Sequence, residues 1–232
     1  MSVSIEPTPD AAVSGVEDGA TVLVGGFGTA GQPIELIDAL IRCGARDLTI
    51  VSNNAGNGSV GLAALLAAGH VRKIICSFPR QRDSYVFDEL YRSGKLDLEV
   101  VPQGNLAERM RAAGAGIGAF FSPTGVGTQL AEGKEQRRID GRDYVLEHPI
   151  GGDVALIKAH RADTAGNLVY RKTARNFGPV MATAATTVIV QVEGVVAAGE
   201  LDPEVVVTPG IFVDRVVACS SPIVAAEEGA AR

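Results

Sequence analysis

Short apolar runs alternate with amphipathic segments from residue 21 to residue 122, and this alternation constrains the fold more than any other feature of the sequence. The apolar runs predict buried strands, whereas the segments between them carry apolar residues at helical spacing. The predicted strands are Thr21–Val24, 48–52, 73–77, 96–101 and 117–122, and the predicted helices are Ile34–Cys43, 59–69, 84–93 and 105–113. Strands and helices that alternate at this spacing are joined by right-handed crossovers. The sequence therefore predicts a three-layer α/β/α fold with a mostly parallel open sheet.

Residues at the predicted helix ends support these boundaries. Pro33 suits the first turn of the helix Ile34–Cys43, and Gly44 suits its end. Asn105 and Glu108 have the spacing of a capping box, which predicts that the fourth helix begins near residue 105.

The pattern changes after Gly125. Two strand-like runs, Arg142–Glu147 and 154–160, are separated by a predicted turn at 149–152, and a second turn at 163–167 leads to a short run at 168–170. Runs of this kind predict a β-hairpin or meander insertion rather than further strand-helix-strand units. A helix at 175–186, distorted at its start by Gly178 and Pro179, and a strand at 187–192 are predicted to follow. We find no repeat or long linker, which predicts one domain over residues 1–232 with frayed ends at about 1–10 and 222–232.

Composition narrows the classes of protein to which the chain can belong. Its 232 residues are 46% hydrophobic and carry a net charge of −6, which argues against binding to nucleic acid. The three cysteines and three histidines lack disulfide or metal-ligand spacing, so no metal is expected. We see no basic segment followed by an apolar run at the N-terminus and no apolar stretch of about 18 residues, so a cytoplasmic protein without a membrane span is expected.

A glycine-rich loop, residues 25–31, separates the first strand from the first helix. Gly26, Gly28 and Gly31 satisfy the pattern G-x-G-x-x-G, in which glycines let a backbone approach a phosphate and a helix N-terminus offers free N–H groups. A tight turn with a purely structural role is the alternative. A dinucleotide site predicts an acidic residue at the end of the second strand. Asp47 comes before that strand and Ser52, Asn53 and Asn54 end it, so a nicotinamide oxidoreductase is disfavoured.

Several motifs resemble, in order, those of the A subunit of family I coenzyme A (CoA) transferases. They are DGATVLVGGF at 18–27 followed by Gly31 and Pro33, SNNAG at 52–56, PQG at 102–104 with LAER at 106–109, SPTGVG at 122–127 and TPG at 208–210. The resemblance covers about residues 10–217. It is strongest to members that act on 3-oxoadipate across residues 76–92 and 171–183.

The resemblance implies a covalent reaction that this chain does not complete alone. In the family, the B subunit carries a Ser-Glu-Asn-Gly stretch whose glutamate attacks the acyl-CoA, and covalent catalysis of this kind divides one exchange into easier steps. That stretch is absent here, so no catalytic residue is expected in this chain and a B subunit is expected as its partner. Glutamates such as Glu132, Glu135, Glu147 and Glu193 are interpreted as solvated or ion-paired. The resemblance implies transfer of CoA from succinyl-CoA to 3-oxoadipate in the degradation of aromatic compounds, with acetoacetate as the alternative acid.

By resemblance, the glycine loop (Gly25, Gly26, Phe27, Gly28, Thr29, Ala30 and Gly31) contributes to CoA binding. Asn53 and Gln103 match family positions that contact the substrate carboxylate, although each could instead cap a loop. Arg80 and Arg82 follow the third predicted strand, and our hypothesis is that one of them binds the second carboxylate of a dicarboxylic acid. A solvent-exposed pair is the alternative. CoA and succinyl-CoA are expected as substrates, without a tightly bound cofactor. A non-catalytic binding protein with this fold remains open at this point.

Overall fold

The computed structural model describes residues 3–219, and an eight-stranded sheet forms its centre. The strands of this sheet are β1 Ser4–Glu6, β2 Thr21–Val24, β3 Leu48–Asn54, β4 Val71–Phe78, β5 Asp97–Val100, β9 Gly152–Lys158, β12 Ala185–Val192 and β14 Arg215–Ala218. Their spatial order is β1-β14-β12-β9-β2-β3-β4-β5, and every neighbouring pair is parallel. The order reverses direction around β2 and β9, as in other open α/β sheets that bind ligands at such a point.

Helices cover both faces of the sheet. They are α1 Pro9–Val13, α2 Ile34–Cys43, α3 Leu62–Ala67, α4 Tyr85–Arg92, α5 Gln103–Gly114 and α6 Gly178–Ala184. On one face, Val22 and Ile50 pack in a core with residues of α1 to α4. On the other, Leu23 and Val51 pack in a core with residues of α5 and α6. The predicted three-layer α/β/α architecture is therefore confirmed.

Two small sheets lie outside this architecture. One is antiparallel and contains β6 Phe120–Ser122, β7 Gln136–Ile139 and β8 Arg142–Glu147. The other contains β10 Arg161–Asp163, β11 Leu168–Val169 and β13 Gly194–Val196. The turn predicted at 163–167 is present, because Asp163 Oδ1 accepts hydrogen bonds from the N–H groups of Ala165 and Asn167.

The connections around β8 and β9 differ from the predicted hairpin. β8 pairs with β6 and β7, whereas β9 lies between β2 and β12 in the large sheet. Residues 154–157 are all buried, which is what a strand covered on both faces requires. The prediction of a fifth crossover strand at 117–122 was also wrong, since only Phe120–Ser122 is a strand and it pairs antiparallel with β8.

Two further boundaries differ from the predictions. The end predicted to be frayed, residues 1–10, contains β1 and the start of α1, and β1 pairs with β14. The other predicted frayed end, 222–232, lies outside the described residues. α5 begins at Gln103, so the buried Asn105 lies inside the helix and does not form the predicted capping box. Its side chain instead contacts Glu147 of β8 and Ser122 of β6.

Candidate active site

The carboxyl ends of β2, β3, β4 and β5 lie at one edge of the sheet, because these four strands are adjacent and parallel. The glycine loop follows β2, Asn53 lies near the end of β3, and Gln103 follows β5. The topology therefore brings the predicted CoA-binding and substrate-binding residues to the edge where open α/β sheets bind ligands.

Asn53 is oriented by its neighbour on β4. The residue is only 1% exposed and lies on the face of the sheet that α5 and α6 cover, as does Val51 two positions earlier. The Ser77 hydroxyl donates a hydrogen bond to Asn53 Oδ1 over 2.8 Å and also lies 3.1 Å from the Asn53 carbonyl oxygen. Within residues 3–219 the Asn53 Nδ2 group makes no hydrogen bond. Its N–H donors are therefore available to a carboxylate or carbonyl oxygen.

Gln103 lies on the same side of the sheet as Asn53. It is the first residue of α5, the helix whose Leu106 and Met110 enter the core on that face. The Gln103 side chain is exposed and makes no hydrogen bond to another described residue. Both predicted substrate-binding amides thus combine position at the carboxyl edge with unused donors.

Ser52 and Asn54, the neighbours of Asn53, face the opposite side of the sheet. Asn54 Oδ1 accepts the N–H of Gly56 over 2.9 Å and shapes the loop after β3. Ser52 Oγ and Asn54 Nδ2 are buried without a hydrogen-bond partner in the described part of the chain. Of the three polar residues that end β3, only Asn53 lies on the same face of the sheet as Gln103.

The glycine loop closes on itself in a tight turn. Phe27 and Ala30 exchange backbone hydrogen bonds of 3.0 and 3.2 Å, and Gly28 between them has φ 60°. A positive φ at the first central position is what a type II′ turn requires. The N–H of Gly25 bonds to the Leu156 carbonyl. The N–H groups left without a partner among the described residues are those of Gly28, Thr29 and Gly31, in and after the turn.

Asn176 holds this loop against a distant part of the chain. Its Oδ1 accepts the Gly26 N–H over 3.2 Å, and its Nδ2 donates to the Ala30 carbonyl over 2.9 Å. Gly31 has φ 74°, and a Cβ atom there would lie 2.4 Å from the Ala174 carbonyl oxygen. Sequence reasoning did not identify Asn176. The only sequence feature that pointed to this segment was the family resemblance across 171–183, and it did not single out Asn176.

Arg80 and Arg82 have different surroundings. Arg80 Nε lies 2.5 Å from Asp88 Oδ1, and its guanidinium carbon lies 6.0 Å from the centre of the Phe87 ring. Arg80 is therefore engaged by the helix that follows it, α4. Arg82 is exposed and forms no ion pair with another of residues 3–219. Arg82 is the arginine of the two that is free to bind a ligand.

Two glutamates near this edge contact neighbouring side chains. Glu35, in the first turn of α2, accepts a hydrogen bond from Gln191 at the end of β12. Glu193 Oε2 lies 3.0 Å from His160 Nδ1. Both glutamates therefore lie against polar side chains of the same chain.

Other reactive side chains of the described region are also buried or ion-paired. Glu147 is 3% exposed and lies 2.8 Å from Lys134 Nζ, which fits its interpretation as an ion-paired residue. Burial raises the pKa of the Cys76 thiol to about 12, so the thiolate is scarce at neutral pH. Residues 3–219 contain no cluster of His, Cys, Asp or Glu suited to a metal ion. Nor does this region have a helix of the length and apolarity needed to cross a membrane.

Known proteins resemble this chain over most of its length. The family model for coenzyme A transferase matches residues 7–219. The A subunit of the 3-oxoadipate CoA-transferase of Pseudomonas putida is 74% identical over 209 residues, which make up 90% of this chain and 90% of that protein. The protein of the same name from Acinetobacter baylyi is 68% identical over 210 residues, 90% of this chain and 92% of that one.

A solved structure extends the likeness to the fold. An acyl-CoA transferase from Escherichia coli O157:H7, in a thioester complex with CoA, superposes with a TM-score of 0.81 at 25% identity. The match covers 94% of this chain but 47% of that one, so this chain spans about half of the longer protein. From the family match, the two relatives and the shared fold we conclude that the chain belongs to the coenzyme A transferase family of enzymes.

Proposed function

We propose that this chain is the A subunit of a heteromeric enzyme that transfers CoA from succinyl-CoA to 3-oxoadipate and releases succinate and 3-oxoadipyl-CoA. The two relatives, both 3-oxoadipate CoA-transferase subunits, support the choice of acid, since they are 74% and 68% identical to this chain. The chain acts as one domain in the cytoplasm, in the degradation of aromatic compounds. It takes CoA thioesters as substrates rather than a tightly bound cofactor, and it binds neither nucleic acid nor membranes.

One observation carries this proposal. The edge that holds the glycine loop, Asn53 and Gln103 has unused hydrogen-bond donors, whereas the glutamates Glu35 and Glu193 there already contact neighbouring side chains. An edge with free donors and no glutamate in a Ser-Glu-Asn-Gly stretch is what one half of a shared active site needs. The missing group is a glutamate of the B subunit, in a Ser-Glu-Asn-Gly stretch, which attacks the thioester carbonyl.

This chain's residues then hold the substrate while the partner's glutamate reacts. Asn53 Nδ2 and the Gln103 amide donate hydrogen bonds to the carboxylate of the acid and to the oxygen that gains charge during attack. The glycine loop lies against the CoA thioester. Because Ser77 orients the Asn53 amide before the substrate arrives, this donor stabilises the developing charge with little reorganisation.

Exposed apolar side chains support a partner at this edge. Phe27 is 47% exposed in the glycine loop, Val60 is 55% exposed before α3, and Phe78 and Tyr85, on either side of the β4–α4 connection, are each 57% exposed. Exposed apolar side chains of this size that follow adjacent strands are typical of a surface covered by another protein.

Arg82 is our candidate for binding the second carboxylate of 3-oxoadipate. Arg80 already pairs with Asp88, and the free guanidinium of Arg82 can form a bidentate bond with a carboxylate. Acetoacetate lacks this second carboxylate. The effect of Arg82 on an acid should therefore depend on whether that acid has two carboxylates or one.

The test is an assay of the chain co-expressed with a B subunit that contains Ser-Glu-Asn-Gly. We expect succinyl-CoA-dependent formation of 3-oxoadipyl-CoA by the complex and none by this chain alone. The Arg82→Ala variant should lose at least about tenfold in kcat/KM for 3-oxoadipate, because a charge-assisted bidentate bond is lost, and little for acetoacetate. Arg80→Ala is the matched control. Faster transfer to acetoacetate than to 3-oxoadipate by the wild-type complex would contradict the proposed substrate.

A further inference from the structure

A groove of about 610 Å³ lies between the glycine loop and the 3-10 helix Lys172–Arg175. It is lined by Phe27, Ala30, Lys172, Thr173, Arg175 and Asn176. Its volume is within the range of about 300–1,000 Å³ that small-molecule sites occupy. The groove is a formed feature of the chain, because Asn176 bonds to both Gly26 and Ala30 and so joins its two walls.

The groove carries positive charge in a chain with a net charge of −6. Lys172 and Arg175 are exposed, and within residues 3–219 neither has a carboxylate close enough for an ion pair. Arg171, also exposed and unpaired among the described residues, immediately precedes them. Arg80, Arg109 and many other basic side chains of the chain do have acidic partners. Two free cations at the wall of a groove are suited to an anion with several oxygens.

The other wall offers contacts of a different kind. Phe27 is 47% exposed and presents an apolar ring to the groove. The N–H groups of Gly28 and Thr29, in the turn next to it, have no partner among the described residues. A ligand that combines phosphate oxygens with apolar or aromatic parts can use both walls, whereas a short dicarboxylic acid can use only the basic one.

The position of the groove separates it from the substrate amides. Asn53 ends β3, which adjoins β2 on one side, whereas the segment 172–176 leads through α6 to β12, beyond β9 on the other side of β2. The glycine loop, which follows β2, lies between the two. A thioester whose acyl group lies at Asn53 can therefore pass the loop and extend its CoA portion toward Lys172 and Arg175.

We propose that this groove binds the diphosphate of CoA, with Arg175 and Lys172 as its phosphate ligands. This assignment rests on the proposed transferase function. It adds two residues outside the glycine loop to the proposed CoA site. Arg175 supplies a planar fork of N–H donors and Lys172 a compact ammonium, and both form charge-assisted bonds with phosphate oxygens.

The experiment compares K172A/R175A with the control K95A/R92A, each in the complex that this chain forms with its B subunit. Lys95 and Arg92 are exposed residues of the same two types at the same spacing, so the control removes the same charge elsewhere. Binding of CoA, dephospho-CoA and pantetheine is measured by calorimetry, and kinetics are measured with succinyl-CoA and with succinyl-pantetheine. We expect K172A/R175A to weaken CoA and dephospho-CoA alike, by about tenfold or more for each lost charge-assisted bond. Pantetheine binding and the KM for the oxoacid should not change.

Other outcomes would overturn the assignment. A loss with CoA but not with dephospho-CoA would move the contact to the 3′-phosphate. A raised KM for the oxoacid would make the groove a carboxylate site, and loss of the complex on gel filtration would make it part of the subunit interface. If the wild-type complex binds CoA but transfers it to no oxoacid, the proposed function fails, while calorimetry still decides whether the groove binds the diphosphate.

Discussion

The contact of Gly31 with the segment 172–176 leads to a prediction that separates backbone strain from crowding. At φ 74°, an alanine at position 31 adopts a left-handed conformation that costs about 1–2 kcal/mol. Its Cβ would also lie 2.4 Å from the Ala174 carbonyl oxygen and 2.8 Å from Asn176 Nδ2. Overpacking of this kind costs a further amount of about 1–3 kcal/mol. We therefore expect Gly31→Ala to lower the free energy of unfolding by about 2–5 kcal/mol.

Gly44→Ala is the matched control for the backbone term. Gly44 has φ 84° at the end of α2, and a Cβ atom there would meet no atom within 4 Å. This variant should lose about 1–2 kcal/mol, because it has the conformational penalty without the clash. Urea unfolding followed by circular dichroism is the appropriate assay, since the chain contains no tryptophan. Equal losses in the two variants would refute the close approach of the glycine loop to Ala174.

Three further predictions concern single side chains. Ser77→Ala should raise the KM for the oxoacid and lower kcat/KM by about fivefold in steady-state kinetics of the complex, because Asn53 loses the hydrogen bond that orients its amide. Ser77→Thr should restore kcat/KM, since it keeps the hydroxyl group. An unchanged kcat/KM in Ser77→Ala would contradict this role of Ser77. Burial alone would raise the pKa of Glu99, but hydrogen bonds from Lys73 and Arg109 lower it below its ordinary value. The stability that Glu99 adds should thus be present above about pH 4.3 and be lost as the pH falls through the lower folded pKa, so unfolding curves of wild type and Glu99→Gln should converge in acid. Alkylation at pH 8 followed by mass spectrometry should modify the exposed Cys43 first and the buried Cys76 only after unfolding, and rapid native labelling of Cys76 would contradict its burial.

Sequence reasoning succeeded where the signal was local and periodic. The alternation that begins at Thr21–Val24 and Ile34–Cys43 predicted the layers correctly, and both elements have the predicted bounds. An apolar β-branched run followed by a glycine loop and an amphipathic helix is compatible with few other folds. The parallel sheet also explains why Asn53 and Gln103 lie at one edge, since the carboxyl ends of neighbouring parallel strands lie together.

Sequence reasoning failed where the residues or strands in contact are distant in sequence. β8 and β9 look like two arms of a hairpin, yet β9 pairs with β2 and β12, more than 20 residues away in either direction. Asn105 has the residue type of a helix cap, but its burial against Glu147 and Ser122 outweighs that local preference. Asn176 contacts the glycine loop across 150 residues of sequence in one of its bonds. No local pattern contains these contacts, because they arise only when the sheet has formed.

The most direct test of the account is to find which chain carries the covalent intermediate. The complex of this chain with its B subunit is incubated with succinyl-CoA, digested and analysed by mass spectrometry for glutamate joined to CoA as a thioester. We predict that the adduct forms on the glutamate of the partner's Ser-Glu-Asn-Gly stretch, with release of succinate, and that no glutamate of this chain is modified. An adduct on a glutamate of this chain, or transfer of CoA by this chain without a partner, would contradict the account.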